Sequence, residues 1–203
     1  MKKIIGWIRF FLILWVLMWC ADMVLQRQML NENLIRLHVV ANSDSEEDQA
    51  IKLQVRDAVM ESLRSAMADI DNVTEAKAYV RDHLPEIQRI ANEVLIRAGQ
   101  AGSAVVTLAR EQFDTRTYET FRLPAGVYES LRIVIGTGEG HNWWCVVFPS
   151  LCIPATSSGF ADIAVGAGFD SSLTAALEGQ AGYEIRFYLL DQLGRLENIF
   201  FQE

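Results

Sequence analysis

The sequence predicts an α+β fold: an N-terminal membrane or signal helix, then a single domain with two or three helices packed on a mainly antiparallel sheet. Two observations carry this prediction. Apolar residues recur at helical spacing between residues 46 and 98, and from residue 103 their period changes to that of strands. Segregated helices and strands are typical of α+β domains, and we expect the helices to cover one face of the sheet.

The composition fits one globular domain with an appendage. The chain has 203 residues, 51% of them apolar, which allows a substantial core. Its net charge of −8 argues against nucleic acid as a partner, because nucleic acid requires a basic surface. Acidity of this size serves solubility and identifies no partner.

The first element, residues 1–25, is a signal peptide or signal anchor. Lys2, Lys3 and Arg9 precede an apolar run over residues 10–21, which is short for a membrane span. If Arg9 reaches the headgroups, the crossing segment lengthens enough to span a bilayer.

Cleavage of this segment is disfavoured by its sequence. A signal peptidase requires small residues one and three positions before the cut, and Trp19 with Ala21 meets only half of that requirement. We therefore favour an uncleaved or slowly cleaved anchor. The basic residues before the run leave the N-terminus in the cytoplasm, so residues 26–203 form an extracytoplasmic domain.

A strand followed by a long helix comes next. Residues 35–42 (IRLHVVAN) alternate between apolar and mostly polar positions, which predicts a strand with one packed face. Ser43 or Ser45 is a candidate N-cap for a helix over residues 46–67, whose first turn is acidic.

Two more helices follow. Thr74 is expected to cap a helix that runs to Leu84, where Pro85 interrupts it. A third helix over residues 85–98 ends at Gly99.

The second half of the chain reads mainly as strands and turns. The glycine-rich residues 136–140 are interpreted as a flexible hairpin, and residues 154–172 as a loop or flap. Residues 173–177 are interpreted as a helical fragment. The predicted strands are residues 103–110, 118–123, 128–135 and 142–148, with a tight turn at 124–126. The pattern of residues 183–190 fits either a strand or a helix, and Gly182 with the aromatic residues favours a strand.

Two of the three cysteines are candidates for a disulfide. Cys145 and Cys152 lie outside the cytoplasm in this topology, where a disulfide persists, and their spacing fits a small loop. Their number is wrong for a structural zinc site, which needs four ligands. Cys20 belongs to the apolar run.

No catalytic, metal-binding or cofactor-binding residue is assigned. His141 and Cys145 are four positions apart, roughly 13 Å along a strand, so this histidine cannot activate that thiol. His38, on another strand, remains open as a base for Cys145. The alternative function is therefore a cell-envelope hydrolase with a Cys/His site.

Phosphate and calcium sites are disfavoured as well. The glycines of residues 136–140 lack the Lys-Ser/Thr ending of a phosphate-binding loop. The acidic residues 44–48 lack the spacing of a calcium loop and fit a capped helix start instead.

Contact with a partner is one role for the conspicuous polar and aromatic residues. The alternative for His38, Asn42 and Asp44, at a strand-to-helix junction, is a set of turn and cap residues that only satisfy the backbone. Adjacent tryptophans in a strand point to opposite faces, so only one of them can fill the core on a given side. An exposed tryptophan beside a glycine loop is a candidate for dominating binding energy. The partner-interface candidates are His38, Asn42, Asp44, Asp48, His141, Asn142, Trp143 and Trp144.

Two long stretches resemble stage II sporulation protein R of endospore-forming bacteria. They are residues 35–59, IRLHVVANSDSEEDQAIKLQVRDAV, and residues 123–152, LPAGVYESLRIVIGTGEGHNWWCVVFPSLC. The resemblance includes the export segment and covers most of residues 1–152. Ser150 departs from it, because a second proline is expected there.

The resemblance implies an exported signal with no catalytic duty and no cofactor. The family is made in the forespore and exported into the space between the forespore and mother-cell membranes, as a secreted or membrane-anchored protein. There it activates a membrane-embedded aspartic protease, which removes the pro-sequence of sigma-E.

Overall fold

The computed structural model describes residues 2–118, 120–148, 164–165 and 168–201. Six helices and six strands lie in this part of the chain. The helices are α1 (Lys2–Asn33), α2 (Glu46–Ala66), α3 (Val73–Asp82), α4 (Leu84–Arg97), α5 (Ser171–Glu178) and α6 (Glu184–Phe200). The strands are β1 (Ile35–Val40), β2 (Ala104–Phe113), β3 (Arg116–Thr117), β4 (Arg122–Leu123), β5 (Gly126–Ile135) and β6 (Asn142–Phe148).

Four strands form a mixed, mostly antiparallel sheet in the order β2-β5-β1-β6. β1 is parallel to β5, whereas the β1–β6 and β2–β5 pairs are antiparallel. β3 and β4 form a separate two-stranded ribbon. The predicted α+β class is confirmed. The predicted hairpin at residues 136–140 is wrong, because β1 lies between the two strands that this segment connects.

Both faces of the sheet are covered, which corrects the prediction of helices on one face. Helices α2, α3 and α4 bury one face, where Leu37 and Val39 of β1 lie in the core with Val55 of α2. Helices α1, α5 and α6 bury the other face through a second core that includes Leu30 and Leu190. All six residues of β1 are buried, so the expectation of one packed face was also wrong.

The helix boundaries follow local capping chemistry. Ser45 is the N-cap of α2, and its hydroxyl accepts from the N–H of Asp48 at 3.1 Å. Asn72, rather than the predicted Thr74, caps α3, because its side chain accepts from the N–H of Glu75. Pro85 lies in the first turn of α4, where its missing N–H costs no hydrogen bond.

Two strand predictions fail after residue 113. The predicted strand over residues 118–123 is reduced to the β3–β4 ribbon. The predicted strand over residues 183–190 is the first half of α6, because Phe187, Leu190 and Gly194 face the core at helical spacing. The helical fragment at residues 173–177 is confirmed within α5. Most of the predicted loop over residues 154–172 lies outside the described residues.

Helix α1 is continuous across the predicted boundary at residue 25. It is long and apolar enough to cross a membrane, and its first part lies exposed outside the domain. From Met23 onward its inner face is buried in the domain. The guanidinium of Arg27 passes Gly126, where a Cβ would overlap it, and it pairs with Glu197 of α6 at 2.9 Å.

Candidate partner-binding surface

The segment after β1 and the connection from β5 to β6 pack against each other. Parallel strands end at the same edge of a sheet, so the connection passes over the end of β1. The N–H of Glu139 donates to the carbonyl oxygen of Asn42 at 3.2 Å. The N–H of Gly140 donates to the carbonyl oxygen of Ala41 at 3.0 Å. Two groups of candidate residues that were predicted separately therefore lie side by side.

The side chain of Asn42 is the bridge between these two segments. Its Oδ1 accepts from the N–H of Thr137 at 3.0 Å, and its Nδ2 donates to Asp48 at 2.9 Å. Gly136 lies against this amide with φ +57°, and a Cβ at Gly136 would overlap Asn42. The connection is thus tied down by hydrogen bonds, and Asn42 faces inward.

Asp48 organises the start of α2 from a buried position. Its carboxylate accepts from Ser43 Oγ at 2.5 Å and from Asn42, and these hydrogen bonds lower the pKa of Asp48. Its own N–H is the one that Ser45 caps. Asp48 and Asn42 therefore position the two segments of this surface, and their contact with a partner stays a prediction.

Asp44 and His141 form an exposed pair across the two segments. The N–H of His141 donates to Asp44 Oδ1 at 2.6 Å, and His141 Nδ1 contacts the same oxygen. The hydrogen bond from the His141 main chain is the largest cause of a lowered pKa at Asp44. Both side chains are more than half exposed and remain available to a partner.

Trp143 is the surface tryptophan of the predicted pair. It keeps 36% of its surface exposed, and the Arg56 guanidinium lies 4.2 Å from the centre of its ring. One turn earlier on α2, Lys52 Nζ donates to the carbonyl oxygen of His141 at 3.0 Å. Lys52 is buried, so this hydrogen bond ties α2 to the connection, and burial lowers the pKa of Lys52.

Arg56 and Lys52 were missed at the level of sequence. Lys52 follows Ile51 and Arg56 follows Val55, and Ile51 and Val55 belong to the apolar stripe that predicted α2. This place beside the stripe was the signal in the sequence that could have identified them. We define the junction surface as five residues of this region, four of them exposed and the fifth, Arg56, largely covered beside Trp143. They are Asp44, Arg56, His141, Asn142 and Trp143.

Trp144 points to the opposite face of the sheet and is half-buried. Its ring stacks on His38 at 3.7 Å and meets Phe113 edge-on at 4.9 Å. His38 Nδ1 contacts the Glu111 carboxylate at 3.3 Å. Burial alone would raise the pKa of Glu111, but His38 and Arg132 lower it overall. His38 and Trp144 therefore lie apart from the junction surface.

The sheet places His38 on the opposite face from Cys145. Leu37 and Cys145 are register partners and share a core, so His38, the next residue of β1, faces the other side of the sheet. Cys145 is buried and bonded in a disulfide. Its predicted partner Cys152 lies outside the described residues, so the pairing of these two cysteines stays a prediction.

No metal-binding cluster of side chains is present in the part of the chain that the structure describes. There, no group of three or more His, Cys, Asp or Glu residues is placed to hold an ion. Of the acidic residues at the start of α2, Asp44 accepts from the N–H of His141 and Asp48 accepts from the side chains of Ser43 and Asn42. Fold and surface together define a class: an α+β domain carried by a signal or membrane-anchor helix, with a hydrogen-bonded polar and aromatic surface at one sheet edge.

Comparison with known proteins identifies the family. The family model for stage II sporulation protein R matches residues 31–158, and the chain belongs to this family. It is 41% identical over 128 residues to the stage II sporulation protein R of Bacillus subtilis (strain 168). That alignment covers 63% of this chain and 57% of the relative, so the chain spans little more than half of the relative's length. No solved structure matches.

The match includes the whole junction surface and the sheet. It leaves out the apolar part of α1 and all of α5 and α6, which lie outside residues 31–158. The predicted sporulation family is thereby confirmed, and a role in sporulation follows from it.

Proposed function

We propose that this protein is an exported, non-enzymatic signal of sporulation that activates a membrane-embedded aspartic protease. It leaves the forespore, remains anchored or secreted in the intermembrane space, and binds the extracytoplasmic part of the protease. The protease then removes the pro-sequence of sigma-E. Membership of the sporulation family and the apolar N-terminal helix support this proposal.

The observation that carries the proposal is the construction of the junction surface. Exposed Asp44, His141 and Trp143 are held by main-chain hydrogen bonds and by α2, so their positions are set before any partner arrives. A preformed surface loses little conformational entropy on binding. A partly exposed tryptophan stacked with an arginine combines two of the residue types that are enriched in binding hot spots.

Activation requires that the signal bind one state of the protease better than another. A ligand shifts an equilibrium only by its differential affinity for the two states. We infer that the junction surface fits the active arrangement of the protease, in which two protease copies come together. Such a mechanism needs no nucleophile, metal or cofactor on this chain.

The test is replacement of Trp143 by alanine in sporulating cells that carry no other copy of this protein. The ratio of processed to unprocessed sigma-E is measured while the variant's abundance is followed. Loss of a hot-spot side chain costs about 2 kcal/mol or more, so processing should fall roughly 30-fold at limiting signal. Ile96→Ala is the matched control, because Ile96 is a large exposed apolar residue on α4.

Unchanged processing in Trp143→Ala and in Asp44→Ala, at normal abundance, would rule out the junction surface as the contact. The hydrolase alternative is tested separately by replacing Cys145 and Cys152 together with serine. An enzyme with a cysteine nucleophile loses all activity. A signal that loses a disulfide loses about 2–4 kcal/mol of stability and still supports processing at low temperature.

A further inference from the structure

One face of α6 carries exposed apolar side chains along most of its length. At 3.6 residues per turn, their spacing places them on one narrow stripe of the helix. The members of this stripe and their exposed fractions are Ile185 (69%), Tyr188 (60%), Leu196 (51%) and Ile199 (59%). The inner face of the same helix is occupied by core residues such as Phe187 and Leu190.

Helix α6 runs alongside α1 in the same direction, starting where the apolar part of α1 ends. In its first turn, Arg186 pairs with Asp22 at 3.3 Å. Three turns later, Glu197 pairs with Arg27 at 2.9 Å and accepts from Asn31 at 2.9 Å. Later residues of α6 thus meet later residues of α1, so the two helices are parallel.

The height of α6 above a membrane is set by α1. The helix has no break between its apolar part and its buried part. From Lys3 to Asp22 it rises about 28 Å, close to the ~30 Å hydrocarbon thickness of a bilayer, and Arg9 reaches the near headgroups. Asp22 therefore lies at the far headgroup layer, and the first turn of α6 lies beside it.

We propose that Ile185 and Tyr188 insert into the interfacial layer of the bilayer that α1 spans, so that the domain rests on that membrane at a second point. This inference rests on the membrane anchor of the proposed function. Tyrosine favours the membrane–water interface, where its ring is apolar and its hydroxyl hydrated. Leu196 and Ile199 lie about 15–20 Å further along α6 and stay in water.

The test uses the full chain with Cys20→Ser, reconstituted into phosphatidylcholine vesicles under non-reducing conditions. An environment-sensitive fluorophore is attached to one new cysteine at position 185, 188 or 199, and quenching by brominated phosphatidylcholine is measured. All three positions are exposed, which makes them matched labelling sites. Labels at 185 and 188 should be quenched at least about twofold more than the label at 199, whose height exceeds the headgroup layer.

A fourth label, in Leu14→Cys, separates this inference from the anchor itself. Strong quenching at position 14, with 185 and 188 as weakly quenched as 199, overturns the second contact and leaves the anchor intact. Equal strong quenching at all three α6 positions also overturns the inference, because α6 would then lie flat on the bilayer. Absent quenching at position 14 refutes the anchor and, with it, this inference.

Discussion

Replacement of Asn42 by alanine should destabilise the fold by an amount that its hydrogen bonds define. The variant loses the bond from the Thr137 N–H at 3.0 Å and the bond to the Asp48 carboxylate at 2.9 Å. A neutral hydrogen bond contributes about 1 kcal/mol and one to a charged group about 1.5–3 kcal/mol, so the loss is about 2.5–4 kcal/mol. For a chain of this size the melting temperature should fall by about 5–15 °C.

The assay is urea unfolding of the full chain in detergent, followed by tryptophan fluorescence. The midpoint should fall while the slope with urea stays constant, because the same surface is exposed on unfolding. Asn142→Ala is the matched control: Asn142 is an exposed surface asparagine, so the unfolding free energy should change by less than about 0.5 kcal/mol. The reasoning is refuted if the two variants unfold at the same urea concentration.

A second substitution tests whether Asn42 and Gly136 act as a pair. Gly136→Ala in the wild type meets the Asn42 amide and adopts an unfavourable positive φ, whereas in Asn42→Ala only the backbone strain and a close Cβ contact remain. The glycine substitution should therefore cost about 1 kcal/mol less in the alanine background. Additive free energies would show that the amide does not constrain the connection.

Two further predictions concern charge and packing. The pKa of Asp44 is lowered in the folded state, so its contribution to stability is complete above about pH 4 and is lost as the pH falls through the lower folded value. Asp44→Asn should accordingly weaken the loss of stability at acid pH, measured as urea midpoints between about pH 2 and pH 7. The prediction is contradicted if the midpoints of the variant and the wild type differ by the same amount at every pH. Gly194→Ala should detach α6, because a Cβ there would overlap the carbonyl oxygen of Ala125, at a cost of about 3 kcal/mol or more. Limited proteolysis should then cleave α6. Gly6→Ala is the control, because a Cβ at Gly6 meets open space, and its cleavage pattern should match that of the wild type. A protease-resistant α6 in Gly194→Ala would show that the packing adapts.

The class of fold was predictable because its signals are local. The periodicity of residues 46–67 and the serine before them determine α2 without help from the rest of the chain. The alternation in residues 35–40 likewise identifies β1. Its second buried face was not predictable, because Arg36 and His38 find their partners Tyr118 and Glu111 far away in the sequence.

The failure at residues 183–190 has a similar cause. Tyr183, Ile185 and Phe187 alternate as in a strand, yet Ile185 is exposed and Phe187 is buried. Only the later residues Leu190 and Gly194, which pack on the sheet, show the helical period. For the junction surface, the segment after β1 and the connection from β5 to β6 were each predictable. Their contact was not, because it depends on the parallel pairing of β1 with β5.

The ties that hold the junction surface are largely main-chain atoms and inward-facing side chains. The outward side chains of Asn142 and Trp143 can therefore be exchanged while Asn42, Asp44, Asp48 and the glycines keep the two segments in place. Apart from Asp44, folding and recognition are encoded in separate residues here, much as in antibody loops on a rigid sandwich. New partner specificities could be grafted onto this edge of the sheet, and relatives can diverge in what they recognise without redesigning the domain.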